Sequence, residues 1–292
     1  MKRTRSTFFA HPGVDPKCRR CRGQSYLVEP QGEHAVAQLC GCVRPCPECR
    51  GSGFVARSEG LRAPLVRCRC TTMVERTRRF NLAVVPARHA HSTLVSFDPS
   101  DKKVTLAFAQ VNKYIQAFMP TGENRGLVLH GEVGRGKTHL MVATLRELVF
   151  RYGASARFVE FSHLIADLKS SFDRGGGTSA LLDPLTRVRV LAIDEIGKGR
   201  NTEWEGTVLD ELISRRYNAA ATIIGTSNYG PGPAKGLVAA NLAKVDGPNR
   251  AEQIPALVDR VGERVYSRLE EMCDFQALKG PDYRLRNRPW TR

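Results

Sequence analysis

Gly131-Glu132-Val133-Gly134-Arg135-Gly136-Lys137-Thr138 decides the fold, because this stretch follows an apolar run over 126–130 and precedes a helical pattern over 139–152. Between a strand and a helix, glycines at this spacing let backbone N–H groups turn inward around a phosphate. Lys137 can then reach the outer phosphates of a nucleotide, and Thr138 can hold Mg²⁺ at the start of the helix. The stretch and the adjacent His139 therefore predict a nucleotide-binding loop.

Two acidic residues end the next apolar strand. The run over 188–193 is typical of a buried parallel strand, and Asp194 and Glu195 follow it directly. Asp194 is placed to bind Mg²⁺, and Glu195 to orient and polarise an attacking water. A third apolar run, over 221–225, leads to Asn228, which can contact the γ-phosphate or the water from the same edge of the sheet. Together these positions predict ATP hydrolysis.

Strands and helices alternate along the second part of the chain. Helical patterns cover 104–119, 162–172, 203–217 and 256–273, and a further strand is expected over 156–159. This alternation predicts an α/β fold, in which helices sandwich a parallel sheet and the site lies at the carboxyl ends of the strands. With 292 residues, no long apolar run and no secretory leader pattern, the protein is expected to be soluble and cytoplasmic.

Four motifs, in this order, resemble those of the DnaC-type bacterial helicase loaders and of the related IstB-type transposition ATPases. They are the loop over 131–140, Leu191-Ala-Ile-Asp-Glu-Ile-Gly197, Thr226-Ser-Asn228 and Gly262-Glu-Arg-Val-Tyr-Ser-Arg-Leu269. The resemblance covers residues 82–292, including 85–88 and 96–99. The Gly/Pro/Ala-rich stretch over 229–255 departs from the family pattern as an insertion.

The resemblance implies an AAA+ P-loop ATPase that acts as an oligomer. Arg268 matches the family's arginine finger, with Arg264 one helical turn earlier as the competing position, and Arg284 matches the second sensor arginine. For a DnaC-type loader, the implied partners are the replicative helicase and single-stranded DNA. An IstB-like ATPase would instead bind duplex DNA and recruit a transposase. A third alternative is a nucleotide-gated scaffold whose hydrolysis is incidental.

Eight of the nine cysteines form an internal repeat in the first part of the chain. Cys18, Cys21, Cys40 and Cys42 recur 28 residues later as Cys46, Cys49, Cys68 and Cys70, and Tyr26 recurs as Phe54. Four thiolates from two close pairs suit a tetrahedral Zn²⁺, so one structural zinc ion is predicted in each repeat. An Fe–S cluster is the chemical alternative.

A second grouping of the cysteines is also open. Cys46-x-x-Cys49-x-Gly51-x-Gly53 resembles the cysteine-rich domain of J-protein chaperones, and that resemblance implies a nested arrangement in which Cys18 and Cys21 join Cys68 and Cys70. One zinc ion per repeat is preferred, because a duplicated unit should be self-sufficient. The ninth cysteine, Cys273, is expected to be a small buried side chain near a helix end.

The first part of the chain is strongly basic. Residues 1–80 contain 16 Lys and Arg against 6 Asp and Glu, which gives a net charge of 16 − 6 = +10. This is more than half of the formal charge of +16 of the whole chain. Such a surface favours phosphate backbones and makes binding salt-dependent. Phe8, Phe9, Tyr26 and Phe54 are candidates for stacking on bases, although a place in the core is the expectation for Tyr26 and Phe54.

Four regions are therefore predicted. They are a basic tail over 1–17, a duplicated four-cysteine zinc-binding module over 18–72, a linker over 73–100 and an AAA+ ATPase domain over 101–292. ATP, Mg²⁺ and two Zn²⁺ are the expected cofactors. The expected function is that of an ATP-dependent helicase loader in DNA replication, with the transposition ATPase as the alternative.

Overall fold

The computed structural model describes residues 9–57, 63–173, 179–199, 202–232 and 256–286. The chain divides into two compact units that interleave along the sequence: Met1–Ser96 with Val142–Arg157, and Phe97–Met141 with Phe158–Arg292. The boundaries of the four regions expected from the sequence differ from those of these two units, and the four regions stay predictions. Phe8 and most of the insertion expected over 229–255 lie outside the described residues.

Two short antiparallel hairpins form the sheet part of the first unit. They pair β1 (Tyr26–Gln31) with β2 (His34–Leu39), and β3 (Phe54–Ala56) with β4 (Leu65–Arg67). Tyr26 lies opposite Leu39 and Phe54 opposite Arg67, so both hairpins keep one register at the 28-residue offset of the cysteines. The duplication therefore extends from the sequence to the strand pairing.

An aromatic cluster forms the core of the first unit. Helix α1 (Thr71–Leu82) places Phe80 beside Phe150, which belongs to helix α3 (Lys137–Tyr152). Tyr26 stacks on the same ring, with the two ring centroids 3.7 Å apart. The core position expected for Tyr26 is thus confirmed. The same expectation was wrong for Phe54, which is 50% exposed because no described residue covers its side of the second hairpin as Phe150 covers Tyr26.

The second unit is built on a five-stranded parallel sheet flanked by helices. In spatial order the strands are β6 (Ala156–Glu160), β7 (Val190–Asp194), β8 (Thr222–Ser227), β5 (Gly126–His130) and β9 (Cys273–Ala277). β7 and β8 are buried along their whole length, as strands covered on both faces must be. The expected α/β fold, a parallel sheet flanked by helices, is confirmed.

Helices connect these strands in the order that the sequence pattern predicts. Besides α3 they are α2 (Lys102–Ala117), α4 (Phe161–Asp173), α5 (Ser179–Arg187), α6 (Glu203–Asn218), α7 (Leu257–Val261), α8 (Glu263–Met272) and α9 (Tyr283–Arg286). Across the described ranges, no helix combines the length and the apolar character that crossing a membrane needs.

The single helix predicted over 256–273 is two helices followed by a strand. Gly262 has φ = 80°, a left-handed conformation that separates α7 from α8. Cys273 then opens the edge strand β9 beside β5 and is buried there. Burial raises the pKa of the Cys273 thiol to about 12, so it is an inert, neutral side chain. The sequence pattern does not reveal β9, because this strand is short and carries polar residues.

A buried arginine ties the starts of two central strands together. The guanidinium of Arg216, on α6, donates to the carbonyl oxygens of Leu185 at 2.9 Å, Val188 at 2.6 Å and Thr222. Burial lowers the pKa of Arg216 to about 10, so it stays protonated at neutral pH. The amino ends of β7 and β8 are therefore held side by side, and their carboxyl ends meet at the opposite edge of the sheet.

Candidate functional site

The glycine-rich loop joins β5 to α3 at the carboxyl edge of the sheet. Gly131, Gly134 and Gly136 all have positive φ, a conformation that other residues rarely adopt. A Cβ atom on Gly134 would lie 2.1 Å from Asp282 Oδ1, so only glycine fits there. The sequence spacing of the glycines is thus explained by the path of the loop.

The remaining side chains predicted for the loop have contacts of their own. Glu132 and Arg135 form an ion pair, Val133 is half exposed, and the His139 ring packs against Phe97 with centroids 5.5 Å apart. Glu132, Val133 and Arg135 belong to the loop itself, and His139 follows it directly. Their direct contact with a nucleotide stays a prediction.

Lys137 is the buried cation of the site. Its Nζ donates to the carbonyl oxygens of Gly131 at 2.7 Å and of Glu132 at 2.8 Å, which folds the side chain over the loop. Burial lowers the pKa of Lys137 to about 8, and the nearby positive charge of Arg284 contributes in the same direction. A poorly solvated ammonium gains most from an anionic ligand, so this position suits a phosphate.

Thr138 and Asp194 meet at the start of α3 and the end of β7. Thr138 Oγ1 donates to Asp194 Oδ1 at 3.0 Å, and Thr226 Oγ1 donates to the same oxygen at 2.6 Å. Burial raises the pKa of Asp194. A hydroxyl and a buried carboxylate in contact are oxygen ligands of the kind that Mg²⁺ binds, directly or through its water shell. The predicted pair of magnesium ligands is therefore brought together.

Glu195 stands one residue beyond β7 in a left-handed conformation, with φ = 59°. Its N–H donates to Thr226 Oγ1 at 2.9 Å, which fixes the backbone beside Asp194. Its carboxylate pairs with Lys198, and Lys198 Nζ lies 3.9 Å from Glu160 Oε1. The carboxylate predicted to activate water is therefore held by a lysine of its own loop.

Three residues of this site were missed from the sequence: Thr226, Lys198 and Glu160. Glu160 is the last residue of β6, so the strand-end rule that selects Asp194 would also have found it. Thr226 lies inside the motif that was read for Asn228. Asn228 itself follows β8, the strand between β5 and β7, and its contact with a γ-phosphate stays a prediction.

Helix α9 brings a further arginine to the loop. Tyr283 N–H donates to Gly134 O at 3.0 Å, and Tyr283 Oη donates to Asp98 O at 2.7 Å. The next residue, Arg284, is exposed and close enough to Lys137 to affect its pKa. Its role as a second cation for the phosphates stays a prediction.

Arg268 and Arg264 lie on α8 and share one partner on α6. Arg268 Nη1 donates to Asp210 Oδ1 at 2.8 Å, whereas Arg264 Nη1 lies 3.9 Å from Asp210 Oδ2. The Arg268 side chain is 25% exposed and that of Arg264 is 79% exposed. Within its own chain Arg268 therefore has an ion-pair role, and action at a neighbour's site stays a prediction for both arginines.

Each cysteine repeat brings its own four thiols together. The clusters are Cys18, Cys21, Cys40 and Cys42, and Cys46, Cys49, Cys68 and Cys70; within each, all sulfur atoms lie within 4.8 Å of one another. The nested arrangement is not the one that the structure adopts. Two Sγ–Sγ distances are 3.8 and 3.5 Å in the first cluster, and 3.7 and 3.5 Å in the second. Four thiolates about 2.3 Å from a tetrahedral Zn²⁺ would be about 3.8 Å apart, so both clusters fit the ion.

The sulfur atoms of each cluster differ in their chemistry, because burial raises the pKa of the Cys42 and Cys70 thiols while hydrogen bonds act on others in the opposite direction. None of these cysteines forms a disulfide. A backbone hydrogen bond from Cys21 lowers the pKa of the Cys18 thiol to about 7, and Gly53 N–H donates to Cys49 Sγ at 3.4 Å. Such bonds favour the thiolate, which is the form that binds metal. The donor sets fit structural zinc, and iron would accept the same ligands.

A family model described as "IstB-like ATP binding protein" matches residues 71–232, more than half of the chain. The chain belongs to this family. The IstB-like match contains Lys137, Thr138, Asp194, Glu195 and Asn228. Both cysteine clusters and the arginines of α8 and α9 lie outside the matched range.

Two relatives of this IstB-like protein come from different settings. The replicative helicase loader DnaC of Escherichia coli (strain K12) is 28% identical over 144 residues, which cover 49% of this chain and 57% of DnaC. A protein described as ATP-binding, in an insertion sequence of Mycobacterium tuberculosis, is 32% identical over 173 residues, which cover 59% of this chain and 60% of that protein. The chain thus spans less than two thirds of the length of either relative.

Solved structures agree with the family. The crystal structure of the DnaC helicase loader matches with a TM-score of 0.54 and 28% identity, covering 66% of this chain and 99% of that one. A primosome component from Streptococcus pyogenes serotype M3 matches with a TM-score of 0.51 and 22% identity, covering 72% of this chain and 97% of that one, and supports the fold alone.

Proposed function

We propose that this IstB-like protein is an ATP-hydrolysing helicase loader that acts in DNA replication in the cytoplasm. The observation that carries the proposal is the convergence of Lys137, Thr138, Asp194 and Glu195 at one sheet edge, in a chain similar to a replicative helicase loader. The replicative helicase loader DnaI of Bacillus subtilis (strain 168) is also similar, with 27% identity over 144 residues.

The positions of these residues support hydrolysis. Lys137 and the loop N–H groups bind the phosphates, and Arg284 adds a second cation beside them. Thr138 and Asp194 would hold Mg²⁺, which would neutralise charge on the phosphate oxygens. Glu195 accepts the proton of the attacking water once its carboxylate is released from Lys198.

The cysteine clusters and the basic first part of the chain support a second role. Two zinc ions would fold the hairpins, since neither hairpin buries enough apolar surface to be stable alone. The folded module would bind the replicative helicase and add a salt-sensitive contact to single-stranded DNA. In this proposal the protein works as an oligomer, in which an arginine of α8 completes the neighbour's site.

A transposition ATPase is the second candidate, because the family model and the insertion-sequence relative both favour it. In that case the same ATP site would control binding to duplex DNA and the recruitment of a transposase.

ATP turnover and helicase binding separate these two candidates. Purified full-length protein is tested with single-stranded DNA, with duplex DNA of the same sequence, and with the replicative helicase of the same cell; Lys137→Ala serves as the control. A loader shows turnover stimulated by single-stranded DNA, retains the helicase and promotes unwinding of DNA without free ends. Stimulation by duplex DNA alone, with no helicase retained, contradicts the loader and favours transposition.

A further inference from the structure

The outward face of the second hairpin differs from the matching face of the first. Residues paired across an antiparallel hairpin share a face, and so do alternate residues along a strand. In the first hairpin this rule groups Tyr26, Val28, Ala37 and Leu39; in the second it groups Phe54, Ala56, Leu65 and Arg67. Tyr26, Val28 and Ala37 are buried, but Phe54 is 50% and Leu65 69% exposed.

Helices cover this face in the first hairpin. The Tyr26 ring stacks on Phe150 of α3. The Asn81 side chain, on α1, donates to Ala37 O at 3.0 Å and accepts from Ala37 N–H at 2.7 Å. The first repeat therefore shows that this face packs against an aromatic side chain from a helix, while Asn81 pairs with the backbone at the free edge of β2.

The other face of the second hairpin is partly occupied. It carries Val55, which packs against Cys46, Cys49, Cys68 and Cys70, and Val66, which is 37% exposed and so less exposed than Phe54 or Leu65. The outward face also gains a charge, because Arg67 stands where the first hairpin has Leu39. No ion pair among the described residues includes Arg67, whereas Arg69, two residues further on, pairs with Glu48.

We propose that the outward face of β3 and β4, formed by Phe54, Ala56, Leu65 and Arg67, binds an amphipathic helix of the replicative helicase. This inference rests on the proposed function. The helix presents an apolar side chain to Phe54 and Leu65 and an acidic side chain to Arg67, in the way that α1 and α3 cover the first hairpin.

A protein helix fits this face better than a nucleic acid does. Leu65 has neither charge nor ring, so it contributes nothing to a phosphate or to base stacking. Arg67 is the single cation on the face, whereas binding to single strands relies on a groove of several cations along the backbone. An aromatic and an aliphatic side chain side by side are typical of the apolar centre of a protein interface.

The experiment measures binding of full-length protein to the purified helicase and, in parallel, to oligo(dT). The variants are Phe54→Ser, Leu65→Ser, the double variant and Arg67→Glu. Leu106→Ser is the control, since Leu106 is 64% exposed on α2 in the other unit. Two zinc ions per chain and an unchanged melting temperature verify folding. A benzoylphenylalanine at position 54 is cross-linked to the helicase to map the contact.

The double variant should weaken helicase binding by about 30-fold or more, as removal of a buried apolar anchor does. Leu106→Ser and oligo(dT) binding should be unchanged, and the cross-link should map to a helix with acidic residues. If the double variant binds the helicase as tightly as the wild type does, the proposed docking face is wrong, while the proposal of a helicase loader still stands. Lost oligo(dT) binding with helicase binding retained, or a cross-link to this chain itself, also overturns it. If the wild type retains no helicase at all, both proposals fail.

Discussion

At the scale of single residues, two buried ionisable side chains, Lys137 and Asp194, decide what the nucleotide site can bind. Burial lowers the pKa of Lys137 and raises that of Asp194, so each side chain is pushed toward its neutral form. In the empty site, burial makes the charged form of each side chain unfavourable. A nearby opposite charge stabilises that form, so Lys137 favours a phosphate and Asp194 favours a cation. The two residues therefore favour a nucleotide that binds together with Mg²⁺.

Nucleotide affinity should fall in alkaline solution. In the free protein the pKa of Lys137 is about 8, so the protonated fraction that pairs with phosphate declines above that pH. Nucleotide binding must then take up a proton, and affinity for ATP with Mg²⁺ should fall by up to about tenfold per pH unit above about pH 8.5. Equilibrium titration with a fluorescent ATP analogue at several pH values measures this slope. Lys137→Arg, which stays protonated, should bind with little pH dependence; an equal slope in that variant would assign the titration to another group.

Turnover should depend on Glu195 and be restrained by Lys198. Glu195→Gln keeps the shape of the side chain but removes its basicity, so turnover should fall about 10²–10⁴-fold while ATP stays bound. Lys198→Met frees the Glu195 carboxylate from its ion pair, so basal turnover should rise. Steady-state hydrolysis and nucleotide retention measure both effects. A loss in Lys198→Met as large as that in Glu195→Gln would instead place Lys198 in the reaction.

At the scale of elements, helix α3 begins at Lys137, the cation of the nucleotide site. Near its other end it carries Phe150, on which Tyr26 stacks. The sequence predicts α3 and the central strands, since their apolar runs are long and regular. It could not predict the break at Gly262, because the apolar stripe continues on both sides of it and only the backbone angle separates the helices. Nor could it predict the partner of Arg268, since Asp210 lies 58 residues away and no local pattern encodes that contact.

The two hairpins should respond differently to matched substitutions. Tyr26→Ala removes a buried ring from the stack on Phe150 and should lower the free energy of unfolding by about 3–5 kcal/mol. Phe54→Ala changes the equivalent but exposed residue and should stay within about 0.5 kcal/mol of the wild type. Urea denaturation measures both values. Equal losses would show that the second hairpin is covered in solution.

The metal content should follow the repeats. Two zinc ions are expected per chain, and Cys46→Ser with Cys49→Ser should leave one. Because the second hairpin does not support α3 through Phe150, nucleotide binding should survive this change. Cys18→Ser with Cys21→Ser removes the other ion and should weaken nucleotide binding through Tyr26 and α3. Elemental analysis with ATP titration tests both; iron in freshly purified protein, or complete loss of metal from either variant, would contradict one zinc per repeat.

At the scale of the whole molecule, the two units cannot be separated by cutting the chain at one point. Residues 142–157 lie late in the sequence but belong to the same compact unit as 1–96. Removing residues 1–80 would expose Phe150, which Tyr26 and Phe80 cover. Partner binding should accordingly be tested with substitutions in the full chain.

The last prediction concerns the assembly of several subunits. If Arg268 completes the site of a neighbour, Arg268→Ala and Glu195→Gln should each be inactive alone. Mixed under conditions of subunit exchange, they should recover hydrolysis, because some interfaces then pair an intact Glu195 with an intact Arg268. An arginine finger contributes about 10³–10⁵ in rate, so even a minority of such interfaces would exceed the background.

The ion pair of Arg268 with Asp210 supplies the matched control for this mixing experiment. If Arg268 serves only to pair with Asp210 in its own chain, Asp210→Ala should cause the same loss, and neither variant should be rescued by Glu195→Gln. The same mixture prepared with Arg264→Ala tests the more exposed arginine. Recovery with Arg264→Ala and none with Arg268→Ala would assign the finger to Arg264. That outcome would leave Arg268 as the side chain that anchors α8 to α6 through its ion pair with Asp210.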